Sequence, residues 1–128
     1  MPRVSAAFFT FGILFVLGGM LLGMHMGASN DFRLAAAHAH INLVGWVTMA
    51  LYGTFYALTA QTMSVRMAWI NFLVSAAGAL VQIPALIMFL LTSDKGIIPV
   101  MVIGEALTVL GAAIFLISVL RELFRTRA

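Results

Sequence analysis

The sequence predicts an all-α integral membrane protein built from four transmembrane helices. Hydrophobic residues make up 63% of the 128 residues and charged residues only 9%, whereas roughly a quarter of the residues in a soluble domain are charged. The apolar residues form four segments, near 5–27, 34–60, 66–92 and 97–121, and each exceeds the about 20 residues that cross a bilayer. Because the links are short, we expect residues 1–128 to form one transmembrane domain.

The basic residues predict the orientation and exclude other classes of partner. Five arginines fall on the side that both termini share: Arg3, Arg66, Arg121, Arg125 and Arg127. Only two cations fall on the other side, Arg33 and Lys95. The positive-inside rule therefore places both termini in the cytoplasm, and we expect a bacterial inner membrane. Since these cations act as membrane anchors, membrane lipid is the expected partner and nucleic acid is not. The chain has no cysteine, which excludes thiolate metal sites and cofactors attached through cysteine.

A histidine pair lies in the second predicted helix, within residues 37–46. His38 and His40 are two positions apart, so at about 100° per residue they point to nearly opposite faces. One chain therefore cannot direct both side chains to one metal. The predicted His38 side also carries Ile41, Asn42, Gly45, Met49, Tyr52 and Tyr56, and the His40 side carries Arg33, Ala36, Leu43, Val44, Val47 and Leu51.

Two interpretations of the pair remain open on the residues alone. The histidines either form hydrogen bonds between helices or serve as axial ligands of haem iron, since neutral imidazole is a good iron ligand. Gly45 would leave space for a flat macrocycle, Asn42 would support the His38 ring, and Trp46 would pack in the core or against the haem. Without cysteine, such a haem would be bound non-covalently, and we expect haem b.

The run His38-Ala-His-Ile-Asn-Leu-Val-Gly-Trp46 resembles the histidine-pair helix of the catalytic subunit of haem-copper oxidases. It is most similar to the nitric oxide reductase and cbb-type branch and to short stand-alone homologues of that subunit. The resemblance implies that His38 and His40 are ligands of two different haems. The resemblance covers only part of the family subunit, which has twelve helices in three arcs of four. The family subunit also has a further histidine pair for copper, which this chain lacks. A complete oxidase or nitric oxide reductase is therefore not expected.

Because the chain resembles one arc, three copies would rebuild the ring of twelve helices. Each interface would then receive His38 from one protomer and His40 from the next, and a homotrimer would hold bis-histidine haem between its protomers. We expect electron transfer as the function, with no indication of the redox partner.

Other ionisable residues supply competing hypotheses, since such groups inside a membrane are functional candidates. His25 is either a further haem ligand or an interfacial residue, and Arg33 either contacts a haem propionate or anchors the membrane edge. Glu105 is a proton relay or a hydrogen-bond partner. A copper-handling protein would use His25 with Met20, Met24 and Met26, because thioether and imidazole suit Cu(I), and a small proton-coupled transporter would use Glu105.

Overall fold

The computed structural model describes residues 1–125 and contains only helices and their links in that range. Four long helices form the bundle: α1 (Arg3–Ser29), α2 (Ala35–Leu58), α3 (Val65–Thr92) and α4 (Ile98–Leu123), the last preceded by the short 3-10 helix Lys95–Ile97. Each of the four is long and apolar enough to cross a membrane. The all-α four-helix fold is therefore confirmed, while the predicted anchor Arg127 lies outside the described residues.

The links define two ends of the bundle. The distal end holds the links 30–34 and 93–97, and the terminal end holds Arg3, the link 59–64 and residues 124–125. Asn30 and Ser93, which terminate α1 and α3 at the distal end, adopt the left-handed conformation with φ of 51° and 55°. At the terminal end, the Ser64 hydroxyl caps α3 by accepting a hydrogen bond from the amide three residues later, as serine commonly does.

Helix α2 departs from the regular α-helix expected for it. Residues Ala35–His40 are α-helical, Ile41–Val47 form a π-helix, and Thr48–Leu58 are α-helical again. Within the π-helix each amide bonds to the carbonyl five residues earlier. The Thr48 hydroxyl also donates to the Leu43 carbonyl, at 2.7 Å. The predicted spacing of 100° per residue is therefore wrong for the stretch that directly follows the histidine pair.

The π-helix explains how α2 keeps one face buried. Ala37, Ile41, Gly45 and Met49 are all buried although they are four positions apart. In a regular α-helix each such step rotates the side chain by about 40° further around the axis, so the row would drift away from the core. The wider π turns reduce that drift and hold the row against α1 and α3.

An aromatic cluster forms the core at the terminal half of the bundle. Phe8 of α1 is fully buried and lies 5.9 Å from Tyr52, 5.8 Å from Tyr56 and 5.1 Å from Phe72, measured between ring centroids. Phe115 of α4 lies 4.3 Å from Tyr52. Aromatic pairs at these distances add to the packing that area burial alone provides, and this cluster joins all four helices.

Polar side chains connect α2, α3 and α4 beside that cluster. The buried Asn71 amide donates to the Tyr56 hydroxyl at 3.1 Å and accepts from Ser75 at 3.0 Å. Tyr56 in turn donates to Ser118 of α4 at 3.0 Å. Interhelical hydrogen bonds of this kind join membrane helices where the apolar surroundings provide little driving force between them.

Candidate functional site

His40 lies on the exposed side of α2, near the distal end. Its Nδ1 is 2.8 Å from the Ala36 carbonyl oxygen, so Nδ1 carries the proton and donates. The other ring nitrogen, Nε2, has no hydrogen-bond partner among residues 1–125. Leu43, on the same side of α2, is 59% exposed. The imidazole is thus oriented by a backbone carbonyl and keeps the lone pair of Nε2 available, which is the usual condition of a metal-ligating histidine.

His38 lies on the opposite side of α2 and packs against α1. Its Nε2 is 3.2 Å from the Asn42 amide nitrogen, and its Nδ1 is buried without a hydrogen-bond partner. A Cβ added to Gly23 of α1 would lie 3.0 Å from the His38 Cε1 atom. The absence of a side chain at Gly23 therefore makes room for the ring, and this contact was not recognised from the sequence.

Asn42, Gly45 and Trp46 all lie at the interface between α1 and α2. Asn42 contacts His38, as expected for a residue one turn away on the same side. The space beside Gly45 is occupied within the chain, because a Cβ at that position would overlap the Phe15 ring. Trp46 packs over Gly12 of α1. The structure therefore assigns Gly45 and Trp46 to helix packing and leaves no free space beside Gly45.

The remaining charged candidates at the distal end are exposed. The Arg33 guanidinium holds the Asp31 carboxylate in a two-pronged ion pair with a shortest distance of 2.7 Å. Hydrogen bonds from Arg33 lower the pKa of Asp31 from 3.8 to about 2 and raise the pKa of Arg33. His25 is exposed at the end of α1. Neither Arg33 nor His25 contacts the histidine pair directly.

Glu105 and the methionines near His25 do not converge on the pair either. Glu105 is exposed on the outer surface of α4 and has no ion-pair partner in the described part of the chain. Met24 is 71% exposed whereas Met26 is 6% exposed, so these two point to different sides of α1. The proposed copper ligands therefore do not share one face.

Of the two histidines, His40 is the one better placed to be an axial ligand of haem iron. Within residues 1–125 no group of three or more histidine, cysteine or acidic side chains is arranged to hold a metal ion. Haem iron needs only axial ligands from the protein, and His40 meets that requirement with a half-buried ring oriented by the Ala36 carbonyl. His38 meets it less directly, because Asn42 contacts its Nε2.

The fold and these contacts define an integral membrane protein with two differently placed histidines on one helix. Comparison of the chain with protein-family models, curated proteins and solved structures found no match.

Proposed function

We propose that the protein binds b-type haem in the membrane and transfers electrons, with His38 and His40 as axial ligands contributed by neighbouring protomers. The observation that carries the proposal is the state of His40, a half-buried residue whose Nδ1 donates to the Ala36 carbonyl and whose Nε2 has no hydrogen-bond partner within residues 1–125. The resemblance of residues 38–46 to the histidine-pair helix of haem-copper oxidases supports the same assignment.

Haem would supply a one-electron carrier, and the chain would supply its ligands and surroundings. His40 would bind iron through Nε2 with its orientation set by the Ala36 carbonyl. His38 would exchange its 3.2 Å contact with Asn42 for iron; the residue is half-buried. Two histidine ligands occupy both axial positions, which favours electron transfer over reduction of a bound gas.

The requirement for more than one chain comes from the packing of α2. Because His38 and His40 lie on opposite sides, and because Phe15 fills the space beside Gly45, one protomer has no place for a macrocycle between them. A haem on the exposed His40 side needs an apolar cover from another protomer. We propose a homotrimer, in which each protomer offers His40 to one neighbour and His38 to the other.

Glu105 gives independent support for an interface. The residue lies about 10 Å along α4 from its distal end, and His40 lies about 8 Å along α2 from the same end. A charged carboxylate exposed to lipid inside the hydrocarbon region is unfavourable. Packing against a neighbouring protomer would remove Glu105 from lipid at the same depth as His40. From the arginine distribution we propose that both termini lie in the cytoplasm, and we propose a bacterial inner membrane as the location.

The test is an absorption spectrum of the purified protein, oxidised and dithionite-reduced, made with sufficient haem supply. A sharp reduced α band is expected, and it should be lost in His40→Ala and in His38→Ala. His25→Ala is the matched control, since it removes an exposed imidazole from the same end of the bundle, and it should keep the band. Protein without haem, or a band that survives His40→Ala, contradicts the proposal.

Native mass spectrometry tests the shared site separately. We expect haem to travel with a trimer and to be absent from the monomer. A monomer that carries haem with both axial positions filled would show that the two histidines are not contributed by different chains.

A further inference from the structure

A cavity lies at the terminal end of the bundle, far from the histidine pair. Its volume is about 220 Å³, whereas a water molecule occupies about 30 Å³ of the liquid, so the cavity has room for several waters or for a small polar group. It is enclosed by the end of α2, the link to α3 and the last turns of α4. Its polar lining includes Tyr56, Thr62, Ser64, Ser118, Arg121, Glu122 and Arg125.

The charges around the cavity leave one cation without a counterion. Within residues 1–125 the ion pairs are Arg33 with Asp31 and Arg125 with Glu122. The Glu122 carboxylate also accepts a hydrogen bond from the Thr62 hydroxyl at 2.7 Å. Arg121 lines the same cavity and has no carboxylate partner in that range. The lining therefore carries one net positive charge, and the unpaired guanidinium supplies several hydrogen-bond donors.

A second donor is available beside Arg121. Ser64 caps α3 by accepting from an amide, at 3.4 Å, which leaves the proton of its hydroxyl available to a ligand. The other hydroxyls are already engaged, since Tyr56 donates to Ser118 and Ser118 to the Ile114 carbonyl. The one carboxylate of the described lining, Glu122, is already engaged by Thr62 and Arg125. The net positive charge and the remaining donors therefore favour an anion over a cation.

We propose that this cavity binds a phosphate group, through Arg121 with support from Ser64. A planar guanidinium matches the oxygens of phosphate and can bind two of them at once. The terminal end of a transmembrane bundle lies where the phosphates of lipid headgroups lie, and it is also reached by soluble anions. The shared chemistry is a phosphate monoester or diester, and its source is either an anionic lipid or a soluble phosphate. This site does not depend on the haem proposal.

The experiment uses the delipidated full-length protein in a neutral detergent and measures binding of three probes. These are inorganic phosphate, micelles doped with phosphatidylglycerol and micelles doped with phosphatidylcholine, followed by thermal stability and by retained lipid in native mass spectra. Arg121→Gln is expected to weaken phosphate-group binding by about 10- to 100-fold, the loss of a hydrogen bond to a charged group. Arg66→Gln is the matched control, because it removes an exposed arginine at the same end that does not line the cavity.

The outcomes separate the two sources and the alternatives. Preferential phosphatidylglycerol binding that is lost in Arg121→Gln and kept in Arg66→Gln supports a lipid headgroup, and the same pattern with inorganic phosphate supports a soluble ligand. Equal weakening in the two variants indicates attraction to the basic surface only and overturns the proposal, as does absence of binding to all probes. If Arg121→Gln fails to fold, Arg121→Lys is used. Lysine keeps the positive charge but lacks the planar guanidinium, so this variant should bind the phosphate group several-fold more weakly. Unchanged affinity in Arg121→Lys with unchanged Arg66→Gln also overturns the proposal.

Discussion

The contact between Gly23 and His38 predicts a specific effect of adding one methyl group to α1. In Gly23→Ala the new Cβ would lie 3.0 Å from His38 Cε1, whereas carbon atoms in good contact are about 3.5 to 4.0 Å apart. The ring must therefore move by about 0.5 Å or more, against its contact with Asn42. Overpacking of this kind costs about 1–3 kcal/mol, and the higher helix propensity of alanine returns at most about 1 kcal/mol. We expect a net loss of about 1 kcal/mol.

The assay is thermal unfolding of the detergent-solubilised protein, followed by helical circular dichroism, together with the haem content per chain. Gly18→Ala and Gly27→Ala are the matched controls, because no atom lies within 4 Å of a Cβ at either position. They should leave stability unchanged or slightly higher and leave haem content unchanged. If Gly23→Ala equals these controls in both measurements, His38 does not pack against α1 as described and the derivation of its position is refuted.

Three further substitutions probe the core, the distal link and the outer surface. Asn71→Ala removes two buried side-chain hydrogen bonds and should destabilise the bundle by about 2 kcal/mol, measured by unfolding in mixed detergent. Arg33→Gln should raise the pKa of Asp31 from about 2 toward 3.8, measured by carbon NMR titration of the carboxyl. Because the pKa of Asp31 is lower in the folded state, the Arg33–Asp31 pair stabilises the fold fully above pH 3.8, and this stabilisation is lost as the pH falls toward 2. Glu105→Gln should change the trimer-to-monomer ratio in native mass spectra without changing the stability of the monomer, since the carboxyl has no ion-pair partner within the described chain.

Each of these three predictions has a control or a result that would contradict it. Gln61→Ala alters an exposed residue of the link before α3 and should leave stability unchanged; equal losses in Asn71→Ala and Gln61→Ala would mean that the buried network contributes nothing. An Asp31 titration that stays near 2 in Arg33→Gln would assign its low pKa to another cause. Lower monomer stability in Glu105→Gln would show that the carboxyl acts within its own bundle.

The sequence predicted the helices well because the membrane imposes a simple constraint. A span must be long, apolar and hydrogen-bonded within itself, so hydropathy alone located all four helices close to their observed bounds. The sequence grouped Ile41, Gly45, Met49, Tyr52 and Tyr56 on the His38 side of α2, and the structure buries all five. His38 and Asn42 of the same group are half-buried. The α-helical period groups these residues only approximately, because the π-helix is what keeps Ile41, Gly45 and Met49 in line.

Nothing in the residue pattern predicts the π-helix between residues 41 and 47. A change from α to π hydrogen bonding depends on how the turns of α2 fit against α1 and α3, and residues of ordinary helix propensity form either. The same holds for Gly45, which on composition alone would open a space and in the structure receives the Phe15 ring. Which atom fills the space beside a glycine is decided by the neighbouring helix.

By itself, the sequence determined that this is an all-α membrane protein and that His38 and His40 point to opposite sides of one helix, because both follow from hydropathy and from the angle between successive residues. Only the tertiary structure decided that His38 packs against α1 and that the His40 Nδ1 donates to the Ala36 carbonyl. It also decided that Arg121 lines a cavity and has no carboxylate partner among residues 1–125. These properties are distances between residues far apart in the chain, and they are set by which helices pack together and how closely.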